Sequence, residues 1–199
     1  MKAFKQNSKT QEHNFIGGWY INKKVCDNVI KYFENNHNKT KGLSGNDEGQ
    51  TTYQPKVKDS LDLVISPTAT EKPIVNYYKE LFKVLEEYKT KYIYSDQIQE
   101  PYGLTDNWNI QKYRPGGGYF KWHFERYPYP ATIRRHLVFM TYLNDVTDAG
   151  ETEFYYQKIK VKPEKGLTLI WPSEWPWTHR GLTSKTQIKY IATGWFCYV

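Results

Sequence analysis

Residues 108–125 read Trp-Asn-Ile-Gln-Lys-Tyr-Arg-Pro-Gly-Gly-Gly-Tyr-Phe-Lys-Trp-His-Phe-Glu, and the last three of them carry the chemistry. Because successive side chains of a β-strand point to opposite faces, a strand over 119–125 would place His123 and Glu125 on the same face. One imidazole and one carboxylate side by side are two thirds of the two-histidine, one-carboxylate triad that binds Fe(II) and leaves the opposite metal positions open. Such a pair alone is more often a surface pair, so the prediction depends on a third ligand.

His179, in the segment Trp-Thr-His-Arg-Gly, is the candidate for that third ligand. It lies in an aromatic-rich turn between two predicted strands, at a distance along the chain that a rolled sheet can close. Of the other histidines, His13 and His37 lie in polar segments, and His136 follows two arginines at the start of an apolar run. The sequence therefore predicts that His179 completes a metal centre with the His-x-Glu pair.

The second half of the chain is predicted to form strands. Turn signals such as Pro115-Gly-Gly-Gly and Pro163-Glu-Lys-Gly separate its apolar runs. The predicted strands are 108–114, 119–125, 135–143, 153–161, 167–171 and 187–198. Several short strands with turns at this spacing indicate an antiparallel sandwich or barrel.

Two helices are predicted upstream, within about 15–95, after a first strand near 15–21. The first helix can be capped by Asn22 and keeps its apolar spacing to Phe33. The second begins at Pro73, which suits a first helical turn. Its apolar stripe comprises Ile74, Tyr77, Tyr78, Leu81, Phe82, Leu85 and Tyr88. We expect both helices to brace one face of the sheet.

The remaining N-terminal segments have weaker patterns. A short strand is predicted at 61–65, and residues 1–14 are polar. The segment 35–54 is rich in Asn, Gly, Lys and Thr and has no periodicity, so it is predicted to be a long loop. Whether that loop is a lid over a binding site or plain disorder is left open by the sequence.

Composition sets the broad class. The 199 residues fit one domain over 1–199, and 18 Tyr with 7 Trp favour strands and a cleft lined by rings. Cys26 and Cys197 provide neither a disulfide framework nor a zinc spacing. No apolar run approaches the roughly 20 residues of a membrane span, and the first residues lack the apolar stretch of a signal peptide. We therefore expect a cytoplasmic protein without a membrane partner; its Lys-, Asn- and Tyr-rich composition suits an AT-rich genome, cellular or viral.

The net charge of +7 raises the question of a nucleic-acid partner. The basic residues are spread along the chain, however, and no basic run marks a docking surface. A lysine-rich soluble surface explains the charge, so no nucleic-acid partner is expected.

From Trp108 to the end, the sequence resembles the Fe(II)- and 2-oxoglutarate-dependent oxygenases, and within them the prolyl 4-hydroxylase-like branch; the earlier helices resemble it loosely. The resemblance depends on motifs in a fixed order. These are Tyr113 ten residues before His123, the strand 135–144 ending in Tyr-Leu-Asn, Gly150-Glu-Thr-Glu-Phe154, the strand 166–171, and Lys189 and Trp195 ten and sixteen residues after His179. Each motif is weak alone, but the ordered set is specific.

The resemblance implies a mainly β (α+β) fold, with a double-stranded β-helix (jelly roll) over about 108–199 braced by the two helices. It implies His123, Glu125 and His179 as catalytic residues and Fe(II) ligands. It also implies 2-oxoglutarate and O₂ as cosubstrates and admits ascorbate as an additional reductant. The implied reaction converts 2-oxoglutarate to succinate and carbon dioxide and hydroxylates an unactivated carbon.

Three further residues are implied to bind the cosubstrate. Lys189 would bind the far carboxylate of 2-oxoglutarate, helped by Tyr142, and Tyr113 would donate a hydrogen bond to the same molecule. The residues themselves support the role of Lys189, because a lysine buried in an apolar strand requires an anion.

The chain departs from the family pattern at one ligand. It has His-x-Glu where the usual motif is His-x-Asp, which adds one methylene but still allows coordination through one oxygen. A halogenase is disfavoured, because those enzymes lack the carboxylate ligand.

The leading hypothesis for the substrate is a peptidyl proline. Arg126 and Arg180 could hold a carboxylate or a peptide carbonyl, and Trp122 and Trp177 could line a groove with other rings. A free amino acid or other small molecule is the first alternative, and oxidative demethylation of nucleic acid is ranked low. A jelly-roll binding module without catalysis is the alternative from another class. The oligomeric state cannot be read from the sequence.

Overall fold

A computed structural model describes residues 1–5, 14–45, 50–97 and 100–199. The predictions made for His13, for the rest of 6–13 and for 46–49 within the predicted loop lie outside these residues. The described chain is mainly β, with two α-helices.

The elements follow one another in a simple order. The N-terminal half comprises β1 (Gly17–Tyr20), α1 (Lys23–Asn35), β2 (Thr40–Lys41), β3 (Ser44–Gly45), β4 (Thr51–Thr52), β5 (Lys58–Asp59), β6 (Leu61–Ile65), α2 (Lys72–Lys91) and a 3₁₀ turn (Ile93–Ser95). The second half comprises β7 (Tyr102–Gly103), β8 (Trp108–Tyr113), β9 (Gly118–Tyr119), β10 (Arg135–Tyr142), β11 (Thr152–Phe154), β12 (Ile159–Val161), β13 (Leu167–Pro172), a 3₁₀ turn (Trp175–Trp177), β14 (His179–Gly181) and β15 (Lys189–Tyr198).

Two antiparallel sheets form the framework, which confirms the antiparallel prediction. The major sheet has the order β1-β13-β10-β15-β8-β6-β2, with β7 also paired to β15. The minor sheet has the order β12-β11-β14, and β3 pairs with β4 and β5 with β9. The strand that contains His179 is therefore an edge of the minor sheet.

Strand alternation divides the apolar residues of the major sheet between two layers. On β10, Leu137 and Phe139 belong to the cluster that packs against the helices, whereas Val138 and Met140 belong to a second cluster with the minor sheet. Both faces of the central strands are thus buried. The helices cover one face, and the minor sheet partly covers the other.

Local signals account for the helices. The Asn22 side chain accepts a hydrogen bond from the backbone N–H of Lys24 at 2.9 Å, and Pro73 lies in the first turn of α2. Most of the predicted stripe of α2 is buried, but Phe82 is 42% exposed. The helices brace the major sheet as predicted.

The predicted strand 119–125 is wrong in extent. Only Gly118–Tyr119 forms a strand, with β5, and His123 forms an isolated bridge to His179. The reason is that the segment changes its hydrogen-bonding partner. The backbone N–H of Phe120 still donates to the carbonyl of Val57, next to β5. The N–H groups of His123 and Glu125 donate instead to the carbonyls of His179 and Ser173. A continuous ladder cannot form between two different neighbours.

Two other predictions for the strands are corrected. The single strand at 153–161 is a hairpin of β11 and β12, whose turn contains Lys158 with a positive φ of 56°. The predicted loop 35–54 contains three two-residue strands, and β14 lies where a turn was predicted.

Neither cysteine is in a disulfide, and both are buried. None of the helices in the described ranges combines the length and the apolar character that a bilayer crossing requires.

Candidate active site

His123, Glu125 and His179 converge at one end of a cavity. Glu125 Oε1 lies 3.4 Å from His123 Nε2 and 3.6 Å from His179 Nε2, and the ligand atoms of all three lie within 4.8 Å of one another. The two imidazole centroids are 4.3 Å apart. This is the composition and spacing of a two-histidine, one-carboxylate metal site.

Backbone pairing holds the two histidines face to face. The N–H of His123 donates to the carbonyl of His179 at 3.0 Å, and the N–H of His179 donates to the carbonyl of His123 at 2.8 Å. The two segments that carry the ligands are therefore joined at the ligands themselves. His123 is positioned by this bridge and not by the long strand that alternation predicted.

The imidazole tautomers leave the two Nε2 atoms that face Glu125 without a proton. His123 Nδ1 lies 3.0 Å from the carbonyl oxygen of Lys121, and His179 Nδ1 lies 2.9 Å from that of Trp177. A carbonyl oxygen only accepts, so each Nδ1 carries the proton and each Nε2 turns a lone pair toward Glu125. Two lone pairs and a carboxylate facing one another require a cation between them, which fits a divalent metal.

Electrostatics keeps these groups in the state that binds metal. Burial lowers the pKa of His123, as does the neighbouring His179, although Glu125 opposes both. Burial alone would raise the pKa of Glu125, but the adjacent His123 and His179 and the charge of Arg135 place it well below its usual value. These shifts favour a neutral His123 and an ionised Glu125.

The outer oxygen of Glu125 is anchored by two side chains. Oε2 accepts a hydrogen bond from Trp195 Nε1 at 3.1 Å and one from Arg135 Nη1 at 3.3 Å. The same Nη1 donates to the Glu125 carbonyl at 2.9 Å, and the guanidinium lies 3.4 Å from the Trp195 ring centroid. These hydrogen bonds restrict the carboxylate of Glu125 despite the extra methylene of the glutamate side chain.

Sequence reasoning missed Arg135 for an identifiable reason. Residues two apart in a strand share a face, and Leu137 faces the helices, so Arg135 would be expected to face the helices too. A register shift between Arg135 and Leu137 pairs Arg135 with Cys197 and turns its side chain to the cavity face. Trp195 could have been found, because it shares the parity of Lys189 along β15.

Lys189 lies in the same cavity and lacks an anionic partner. It is 5% exposed, and its Nζ donates to the carbonyls of Gly150 at 2.9 Å and Leu182 at 3.4 Å. No carboxylate in the described part of the chain forms an ion pair with it. Burial lowers its pKa to about 8, although the charge of Glu151 opposes this. A buried ammonium with only carbonyl partners fits a site for an anionic ligand.

The two tyrosines differ in where they lie. Tyr113 pairs with Lys189 across the strands and lines the cavity, and its hydroxyl donates to Gln111 Oε1 at 2.7 Å. The Tyr142 hydroxyl lies behind Thr152, 2.6 Å from its Oγ1, and also accepts from the Thr152 N–H. Tyr142 does not line the cavity, which corrects the prediction that it faces the cosubstrate.

Of the four predicted substrate residues, Trp122 and Arg180 line the cavity, with the guanidinium 4.3 Å from the indole centroid. Arg126 and Trp177 do not. Arg126 forms an ion pair with Glu174 at 2.7 Å, and Trp177 Nε1 donates to the backbone carbonyl of Asn14 at 2.7 Å. Both side chains are occupied elsewhere, which corrects the prediction that they face the cleft.

The cavity has a volume of about 920 Å³. Besides the triad, its lining includes Thr193, Asn109 and Val64, which pair across neighbouring strands of the major sheet. Two N–H groups of lining residues, Arg135 Nε and Trp171 Nε1, are buried and have no partner among the described residues.

Comparisons with known proteins show what this site is similar to. Residues 108–197 match the model of the 2OG-Fe(II) oxygenase superfamily. A search of curated proteins found no significant match.

Solved structures share the fold. The 2OG complex of the viral collagen prolyl hydroxylase vCPH from Paramecium Bursaria Chlorella virus-1 has a TM-score of 0.67 and 19% identity, covering 94% of this chain and 98% of that one. A Pseudomonas putida prolyl-4-hydroxylase has a TM-score of 0.64 and 16% identity, covering 94% and 95%. A Trichoplax adhaerens prolyl hydroxylase in complex with a hypoxia inducible factor oxygen degradation domain peptide fragment has a TM-score of 0.70 and 13% identity, covering 94% and 86%.

Residues 108–197 are thus similar to the 2OG-Fe(II) oxygenase superfamily, and the fold of the chain is similar to that of prolyl hydroxylases. This match and the convergent triad support a 2-oxoglutarate-dependent dioxygenase that uses Fe(II) and O₂.

Proposed function

We propose that the protein hydroxylates a prolyl residue within a polypeptide. In this proposal His123, Glu125 and His179 bind Fe(II), and Lys189 binds the far carboxylate of 2-oxoglutarate. The observation that carries it is the pairing, in one cavity, of three convergent ligand atoms with a buried ammonium that lacks an anion. Bound Fe(II) would supply the activation of O₂ that couples decarboxylation of 2-oxoglutarate to hydroxylation.

The protein side chains hold the cosubstrate at its far end. The Lys189 ammonium neutralises a carboxylate in a site from which water is largely excluded, where a charge-assisted hydrogen bond is strong. Tyr113 donates to Gln111 in this structure, so its hydroxyl needs only to rotate to donate to a cosubstrate carboxylate. Ascorbate stays a prediction from the resemblance.

We also infer that the major and minor sheets are the two halves of a double-stranded β-helix and that 1–199 is one catalytic domain. The apolar cluster shared by β10, β13 and β15 with β11 and β12 supports this inference, since it fills the space between the two sheets.

An apolar surface beside the triad favours a prolyl substrate. The amide nitrogen of a prolyl residue carries no N–H, so it needs no acceptor from the cavity wall. The Trp195 ring lines the cavity, and an apolar pyrrolidine ring can pack against it. Trp195 is therefore proposed to position the substrate as well as Glu125.

A free amino acid suits the cavity less well. Its ammonium group would need a carboxylate, but Glu125 and Asp62 are the only carboxylates among the described residues that line the cavity. Glu125 is committed to the triad, and Asp62 forms a buried ion pair with Lys58 at 2.5 Å. The cavity lining also extends across three neighbouring strands, at Thr193, Asn109 and Val64, which favours an extended chain.

Succinate release tests this proposal directly. Purified protein with Fe(II) and 2-oxoglutarate is incubated with proline-containing peptides, free amino acids or oligonucleotides, and succinate and the product mass are measured. We expect peptide-stimulated succinate and one added oxygen on a proline. Stimulation by free amino acids or oligonucleotides, with none by peptides, would contradict the proposal.

Metal binding is expected to weaken in acid, because both histidines must be neutral to coordinate. Burial lowers the pKa of His123, so its protonation begins below the ordinary histidine value of about 6.5. Glu125 keeps its charge in this range, since its pKa lies well below the usual value. Titration with Co(II) between about pH 7.5 and 4.5 measures the loss, with circular dichroism as the control for folding. An affinity that stays constant over this range would refute histidine coordination.

A further inference from the structure

Four aromatic rings, three of them exposed, form a continuous row that begins at the cavity. We call Trp122, Tyr155, Tyr156 and Trp175 the aromatic ladder. Successive ring centroids are 5.1, 5.0 and 5.7 Å apart, and successive rings are nearly perpendicular, at 84°, 81° and 83°. Tyr155, Tyr156 and Trp175 are 44%, 55% and 58% exposed. An exposed apolar patch of this kind is a common sign of an interaction site.

The ladder begins at the active site. Trp122 lines the cavity and directly precedes His123. Tyr155 directly follows Phe154, which pairs with His179 in the minor sheet. The inner end of the ladder is thus tied to both histidines, and Trp175 at the other end is 58% exposed.

Backbone and side-chain hydrogen bonds hold the outer rungs in place. The N–H of Tyr155 donates to the Thr178 carbonyl at 2.8 Å, and Gln157 Nε2 donates to the Pro176 carbonyl at 3.0 Å. These bonds join the β11–β12 turn to the 3₁₀ turn that carries Trp175. A surface whose rings are already positioned loses little conformational entropy on binding.

The polar atoms of the outer rungs are free to bind a ligand. Within the described residues the hydroxyls of Tyr155 and Tyr156 and the indole N–H of Trp175 have no hydrogen-bond partner. They are donors that stand next to ring faces. A ligand with apolar rings and unpaired carbonyl groups would satisfy both features.

We propose that the aromatic ladder docks the part of the polypeptide substrate next to the hydroxylated residue, as an extended, proline-rich segment. The inference rests on the proposed function. A polyproline II segment has no internal hydrogen bonds and rises about 3.1 Å per residue, so two residues advance about 6 Å, close to the spacing of the rungs. Aromatic-lined surfaces bind such segments because they are already extended.

Single-stranded nucleic acid fits the same rings less well. Base stacking uses ring faces along a positively charged groove. Here the rings are nearly perpendicular, and acidic groups flank them. Glu174 precedes Trp175, and Glu153 pairs with Arg180, which lies over Trp122. Lys158 Nζ lies 4.3 Å from the Tyr155 ring centroid, so it is the perpendicular arrangement of the rings, and not the local charge, that disfavours base stacking.

The test compares a long and a short substrate. An Ala-Pro repeat of about 20 residues would extend roughly 60 Å, whereas one of about four residues reaches only the cavity. Each is assayed with Fe(II) and 2-oxoglutarate on wild-type protein, on the double variant Tyr156→Ala/Trp175→Ala and on Tyr94→Ala. Tyr94 is a 78% exposed aromatic that is not part of the ladder, so it is the matched control.

The double variant is expected to raise the KM for the long peptide about tenfold, equivalent to about 1.4 kcal/mol, with kcat unchanged. The KM of the double variant for the short peptide should equal that of wild type. The Tyr94→Ala variant should have wild-type KM values for both the long and the short peptide. A long-peptide KM that is the same in the double variant and wild type would overturn the inference.

Direct binding separates this inference from the proposed function. Fluorescence polarisation with the labelled long peptide is measured anaerobically on protein loaded with Fe(II) and 2-oxoglutarate. If neither peptide is hydroxylated, the proposed function fails, yet loss of long-peptide binding in the double variant still supports the ladder. Equal affinity of wild type and the double variant for the long peptide would overturn the inference. So would an oligothymidylate that binds the ladder more tightly than the long peptide does.

Discussion

Replacing His179 with alanine is expected to abolish metal binding at the triad and to lower 2-oxoglutarate turnover by at least about three orders of magnitude. The imidazole supplies one of three convergent ligand atoms, and a metal ion in such a site is worth several kcal/mol of transition-state stabilisation. The side chain is 6% exposed, so substituting for it also removes packing against Trp171. Co(II) titration followed by visible absorption reports metal binding independently of turnover.

His136→Ala is the matched control for this variant. His136 is also partly buried, and its ring lies within hydrogen-bonding distance of the Ser95 carbonyl and the Tyr198 hydroxyl. Its loss should cost stability but leave the Co(II) titration unchanged. Wild-type Co(II) affinity in His179→Ala would show that the triad is not the metal site.

Replacing Lys189 with methionine is expected to raise the KM for 2-oxoglutarate about 100-fold or more. Removing one partner of a buried, hydrogen-bonded charge pair typically costs about 2–5 kcal/mol. Metal binding should persist, because Lys189 is not one of the triad. Steady-state kinetics with varied 2-oxoglutarate, together with the Co(II) titration, separates the two effects.

The same variant should not be less stable than wild type in the absence of ligands. Burial lowers the pKa of Lys189 to about 8, so the folded state carries a penalty on the order of 3 kcal/mol for keeping the charge below that pH. The penalty falls as the pH rises from about 8 toward the usual lysine pKa, because the unfolded chain then binds more protons. Methionine removes the charge, and the two carbonyls that lose a donor offset part of the gain.

Lys112→Met is the control for Lys189→Met. Lys112 lies on the adjacent strand β8, but it forms an ion pair with Glu34 of α1 at 2.8 Å, on the helical side of the sheet. Its substitution should leave the KM for 2-oxoglutarate unchanged. An equal effect of both variants, or no effect of Lys189→Met, would remove the basis for a carboxylate site at Lys189.

The anchoring of Glu125 gives a physical account of the unusual ligand. A glutamate has one more rotatable bond than an aspartate, and that freedom must be lost when the carboxylate coordinates a metal. Arg135 and Trp195 already hold its outer oxygen, and the guanidinium stacks on the indole. Much of the ordering is therefore built into the fold before a metal binds.

Several features were predictable from the sequence because their causes are local. The Asn22 cap and the stripe of α2 follow from hydrogen bonds and contacts within a few residues. The strand parity that places Lys189 in the cavity follows from the period of two in a β-strand. The family motifs identified which histidines to bring together.

Other features depended on which segments became neighbours. The bridge between His123 and His179 replaces a predicted strand, and the register shift at Arg135 reverses the face that parity assigns to it. Arg126 and Tyr142 turn away from the cavity because Glu174 and Thr152 offer nearer partners.

The sequence by itself thus determined most of the element types, the ligands implied by the resemblance and the need for an anion at Lys189. The tertiary structure alone decided that Arg135 and Trp195 anchor Glu125 and that an exposed row of rings leaves the cavity. The physical reason is that periodicity along a chain specifies only the face to which a side chain points. What it meets there depends on segments that are distant in sequence, and their pairing is set when the whole sheet forms.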